Sequence, residues 1–142
     1  MEFFLEKSDY VLVKPGSYHV MLNHYRTALM FKAPKLELVF AVVSHGEAYG
    51  ARLSRFYNID RFIGKAGKNG KFAVGRNRDF PRELLGLFHH RSQRRDRYPM
   101  SLFNGGTIEA KVVTVKKARN RRIPEALQYS KIEELVRVIE KA

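Results

Sequence analysis

The 23 residues from Leu36 to Asn58, LELVFAVVSHGEAYGARLSRFYN, constrain this chain more than any other stretch. Leu36, Leu38, Phe40 and Val42 alternate with Glu37, Val39, Ala41 and Val43, a period of two with one strongly apolar face. Such a run packs as a strand and not as a helix, because successive side chains of a strand point to opposite faces. Gly46 and Gly50 bracket Glu47-Ala48-Tyr49 and supply the positive-φ positions that a reversal of the chain needs. The return segment, Arg52-Leu53-Ser54-Arg55-Phe56-Tyr57, mixes cations with rings. A hairpin results, with one face for a core and cations on the other.

Gly64-Lys65-Ala66-Gly67-Lys68-Asn69-Gly70-Lys71 follows, a loop expected to be flexible and cationic. The phosphate loop of nucleotide-binding enzymes is excluded here. Five residues separate Gly64 from Gly70, and Phe72 stands where a Ser or Thr would bind magnesium. Charge points elsewhere. The chain carries 27 Lys and Arg against 14 Asp and Glu, a net +13, and residues 51–97 alone hold 13 basic and 4 acidic residues. Charge concentrated in one third of a chain marks a surface for a polyanion.

The remainder reads as one domain, 1–142, with one core. Residues 1–16 form an apolar N-terminal arm ending at the Pro15-Gly16 turn. Ser17 to Phe31 is a long strand whose alternation blurs between Tyr25 and Met30, where a bulge is expected, and Ala33-Pro34 is the next turn. Asp79 caps a short helix over Arg82–Phe88 that sets Leu84, Leu85 and Phe88 against the core. Thr107 to Lys117 alternates again as a strand. Ser130 and Glu133 have the spacing of a capping box, and Ile132, Leu135, Val136 and Ile139 form a stripe, so 130–141 is predicted to be a C-terminal helix. The expected fold is mainly β (α+β): a small OB-like Greek-key barrel with a short internal helix and that C-terminal helix.

Three groups are candidate nucleic-acid contacts. On the return strand, Arg52, Arg55 and Tyr57 are expected to line one face; of the adjacent rings Phe56 and Tyr57 one belongs to the core, and the amphipathic Tyr57 is the better choice for the exposed one. Lys65, Lys68, Lys71, Arg76 and Arg78 would follow a phosphate backbone, and Arg91, Arg94, Arg95 and Arg97 extend the track. The carboxylates Asp60, Asp79, Glu83 and Asp96 stand singly among arginines, not clustered as a nuclease needs to hold magnesium, so the expectation is a protein without enzymatic activity, metal or cofactor. The chain has no cysteine, no apolar run of the ~20 residues that cross a membrane, and acids where an export signal carries cations. A cytoplasmic protein without a membrane partner is expected.

The hairpin Gly46-Glu47-Ala48-Tyr49-Gly50 followed by Phe56-Tyr57-Asn58 resembles one found in small phage and mobile-element proteins, among them OB-fold single-stranded-DNA-binding proteins. The likeness covers about 23 of 142 residues, with one extra residue in the turn, and the IGKAGKNGKFAVGRNRDF and IPEALQYS segments add to it. It implies DNA metabolism on a mobile element. Together with the charge it gives the functional expectation: a largely sequence-independent binder of single-stranded nucleic acid, DNA or RNA. The alternatives are a structured-RNA binder and an interaction protein that inhibits a host nuclease or joins a replication, recombination or defence complex.

Overall fold

The computed structural model describes residues 12–118, 121–122 and 128–141. Five strands form one antiparallel sheet: β1 (Gly16–Met30), β2 (Ala33–Val42), β3 (Arg52–Asn58), β6 (Thr107–Val115) and β9 (Tyr129–Glu140), in the order β3-β2-β1-β6-β9. Two small hairpins accompany it, β4 (Arg61–Ile63) with β5 (Lys71–Ala73) and β7 (Lys117–Ala118) with β8 (Arg121–Arg122). One helix, α1 (Asp79–Phe88), and a 3-10 turn, Met100–Phe103, lie between β5 and β6.

The hairpin expected at Leu36–Asn58 is β2 and β3. Leu36, Leu38, Phe40 and Val42 are buried in the core, and Gly46 and Gly50 take φ of 136° and 83° in the connection. The preceding turn falls at Phe31 and Lys32, one step before Ala33-Pro34. Both residues take positive φ (52° and 64°), as a two-residue hairpin loop demands, although neither is glycine.

β1 carries an irregularity between Leu22 and His24, a little earlier than the sequence suggests. It divides the strand's duties. Gly16–Val20 pairs with β6, whereas Val20–Met30 pairs with β2 and leaves β6 behind. The 64–70 loop covers part of the edge so exposed. The Thr27 N–H donates to Gly67 O (3.0 Å), the Gly67 N–H to Thr27 Oγ1 (3.2 Å) and the Asn69 N–H to Tyr25 O (3.1 Å). The expected flexible loop is thus a docked one, and a Cβ on the buried Gly70 would lie 2.2 Å from Thr27 Oγ1.

The predicted C-terminal helix is instead a strand, β9. Its register against β6 slips at three places, between Thr107 and Ile108, Glu109 and Ala110, and Lys111 and Val112. Each slip inserts one extra β9 residue (Ile139, Val136 and Glu133), so that inward side chains recur every third position. Ile132, Leu135 and Val138 face the core while 133, 134, 136, 137, 139 and 140 are exposed. A strand bulged at this interval mimics a helical stripe. Ser130 caps no helix; its hydroxyl bonds the backbone of Val13, at the end of the N-terminal arm, of which residues 1–11 lie outside the described residues.

The sheet curls but does not close. Edge strands β3 and β9 lie alongside each other without pairing, and α1 packs against both. The curl also brings Lys131 of β9 near Lys35 of β2: burial first, then repulsion by Lys131 and Arg78, holds the Lys35 ammonium below its ordinary pKa. The mainly β class therefore stands, while the closed barrel is not formed. α1 begins at Asp79, with Arg78 in the N-cap position and no side-chain cap. It buries Phe80, Leu84 and Leu87 at i, i+4 and i+7, whereas Leu85 is exposed and Phe88 packs edge-on against Phe103 at 5.1 Å.

Candidate nucleic-acid interface

Position parity on β3 separates the cations that the sequence grouped together. Leu53, Arg55 and Tyr57 project inward toward α1, and Arg52, Ser54 and Phe56 project outward. Arg52 therefore does not share a face with Arg55 and Tyr57, and Tyr57, 2% exposed, is the buried ring of the Phe56–Tyr57 pair.

Glu83 of α1 explains why. Its Oε1 accepts from the Tyr57 hydroxyl (2.9 Å), the Arg55 Nε (3.3 Å) and the Leu135 N–H of β9 (3.1 Å), and its Oε2 pairs with Arg55 Nη2. One carboxylate thus joins both edges of the open sheet through the helix. The Arg55 Cζ lies 4.3 Å from the Tyr57 ring centroid. Burial and the Glu83 charge push the Tyr57 hydroxyl well above its ordinary pKa. Arg55 is raised too: burial opposes its charge, but the Glu83 hydrogen bond and the nearby negative groups outweigh it. This cluster is a structural seam. Its signal in the sequence, a lone Glu83 within an apolar helix, reads as an ordinary surface acid.

A second carboxylate, the buried Glu37 (4% exposed), anchors the outer face of the sheet by accepting from Arg26 Nε and the Ser54 hydroxyl, both at 2.5 Å. Other predicted cations are also paired. Arg78 bridges to Asp60 at 3.1 Å and Arg94 to Asp96 at 2.8 Å.

Seven further cations collect along three hollows. The first, of about 720 Å³, opens where β1 leaves β6; Arg52 and Lys68 line it with His24, Asn23, Asn69 and Asn104. The second, of about 360 Å³, holds Lys71 and Arg97. The third, of about 330 Å³, holds Arg76, Arg82 and Arg91. Tyr25 and Met100 line both the first and the second hollow, and Tyr98 both the second and the third. None of these seven cations enters an ion pair among the described residues. Arg76 donates to the backbone oxygen of Gln93 at 3.0 Å, which orients it. Tyr98 is held by its hydroxyl on Val74 O (2.6 Å) and stacks on Phe72 with an interplanar angle of 3°.

Six predicted contacts therefore meet in the hollows: Arg52, Lys68, Lys71, Arg76, Arg91 and Arg97. Lys65 and Arg95 are exposed outside them. Arg82, Tyr25, Tyr98 and His24 were not anticipated. His24 sits below its ordinary pKa, first through burial and then through Arg52, Arg26 and Lys68, with Glu37 opposing. Among the described residues no helix is long and apolar enough to cross a membrane, and no three His, Asp or Glu side chains converge as metal ligands. Comparison of the chain with protein-family models, with curated proteins and with solved structures finds no match.

Proposed function

We propose that this protein is a non-enzymatic binder of single-stranded nucleic acid, DNA in the first instance, that acts largely without regard to sequence. The observation that carries this reading is the row of hollows. Seven cations that enter no ion pair among the described residues line them, beside the Arg94-paired Asp96 in the second, and the hollows meet at Tyr25 with Met100 and at Tyr98. A flexible strand can follow such a row with its phosphates on the cations and its bases near the rings, whereas a rigid duplex has no unstacked bases to offer. The OB-like reading is supported by three features. A long bulged first strand serves two neighbours, a helix lies between the third and fourth strands of the sheet, and the two edge strands approach each other. With the resemblance of the hairpin, these features support a role in the DNA metabolism of a phage or mobile element, in the cytoplasm.

Fluorescence anisotropy with poly-dT, a matched duplex and a matched RNA, across a salt series, tests the proposal. The expected result is preference for poly-dT, with log K falling against log salt by about 0.7 for each phosphate engaged, hence a slope approaching about −5 if all seven cations act. Equal, weak binding to all three would reduce the charge to non-specific attraction and remove the reading.

A further inference from the structure

The first hollow differs from the other two in its chemistry. Besides Arg52 and Lys68 it presents three amides, Asn23, Asn69 and Asn104, which come from three separate parts of the chain: the β1 bulge, the docked loop and the end of the 3-10 turn. Hydrogen bonds fix the main chain of two of these residues. The Asn69 N–H is bonded to Tyr25 O at 3.1 Å with φ at 55°, and the Asn104 N–H to Ser101 O at 3.1 Å. The Asn23 Oδ1 lies 2.7 Å from His24 Nδ1; with the proton on Nδ1 the imidazole donates to one lone pair of the amide oxygen and leaves the other, with the NH2 group, for a ligand.

A phosphate track needs only cations. Amides are poor phosphate ligands beside Arg and Lys, but each offers a donor and an acceptor a short distance apart, the pattern found on the edge of a nucleobase. The volume, about 720 Å³, lies within the range of small-ligand sites, and Leu22, Tyr25 and Met100 provide apolar surface for a ring.

Resting on the single-strand reading, we propose that this hollow is a nucleotide subsite: one unstacked base sets its polar edge against Asn23, Asn69 and Asn104 while its phosphate lies between Arg52 and Lys68. The protein then discriminates between bases at one position and tolerates any base along the rest of the track.

NMR titration with the four deoxynucleoside monophosphates and with inorganic phosphate, read at the Asn side-chain NH2 signals, tests this. One base should bind about tenfold tighter than the weakest, the scale of a base-edge contact, and inorganic phosphate should leave the Asn23 and Asn104 amides unmoved. The Asn23→Ala/Asn104→Ala variant should level the four affinities while poly-dT binding keeps its salt slope. Equal affinities in the native protein, or a preference that survives the double variant, overturn the subsite. The two readings fail separately: a base preference without oligonucleotide binding retains the subsite and removes the track, and oligonucleotide binding with no base preference does the reverse.

Discussion

Arg52 and Arg55 stand three residues apart on one strand and meet opposite fates. Arg55 points inward, where Glu83 and the Tyr57 ring hold its guanidinium at 12% side-chain exposure. Arg52 points outward, has no ion-pair partner among the described residues and borders the largest of the cationic hollows. A count of basic residues scores them alike. What separates them is an odd number of residues on a pleated strand and the presence of a carboxylate on one side only. A basic surface is therefore defined by the cations left over after the fold has neutralised its own.

The seam offers the largest effect. Replacing Glu83 by Ala leaves the Arg55 charge, the Tyr57 hydroxyl and the Leu135 N–H without their common acceptor. Breaking a buried pair from one side costs about 3–5 kcal/mol, against a net worth near 0–1 for an exposed pair. Urea denaturation of Glu83→Ala should show a loss of that size. A loss below about 1 kcal/mol would mean that β3 and β9 are held together without the glutamate.

Next in size is the contrast between the two arginines themselves. Arg52→Ala should leave stability within about 0.5 kcal/mol and make the salt slope for a single strand shallower by about 0.7. Arg55→Ala should lower stability by about 3 kcal/mol, since the partly buried Glu83 then loses its only cation among the described residues and keeps just the Tyr57 and Leu135 donors, and should leave the slope of the folded protein unchanged. If Arg55→Ala flattens the slope as much as Arg52→Ala does, the division between seam and track is wrong.

These contrasts show which parts of the molecule were legible in its sequence. The β2–β3 hairpin was, because its alternation follows a regular pleat and glycines mark its turn. β9 was not, because three bulges convert the pleat's period of two into three, which is nearer to a helix. Tyr57 was misplaced because parity says only that Phe56 and Tyr57 part company; the helix that claims one of them lies 26 residues away along the chain. The track was half legible. Unpaired cations come from segments visibly rich in Lys and Arg, but the hollows that gather them arise where β1 leaves β6 and a docked loop replaces it, a tertiary event with no local signature. Asn23, His24 and Asn104 become a group only there.

The smallest effect lies at His24, on the track's side of the comparison. Around it stand Arg26 on its own strand, Glu37 on β2, Arg52 on β3 and Lys68 on the docked loop, and its pKa is lowered chiefly by burial. The unfolded chain then takes up this proton before the folded one does. As pH falls below about 6.5, stability declines until the folded value is passed, and above that range His24 contributes nothing to its pH dependence. A bound strand reverses the balance, because phosphates neutralise Arg52 and Lys68 and favour the imidazolium. The His24 ring signal in NMR should therefore titrate below 6.5 in the free protein and move upward when poly-dT is added. Affinity should rise modestly from about pH 7.5 to pH 5, and His24→Gln should abolish that rise while keeping neutral-pH binding. A titration midpoint that poly-dT does not move would separate His24 from the bound strand and shorten the track to its cations.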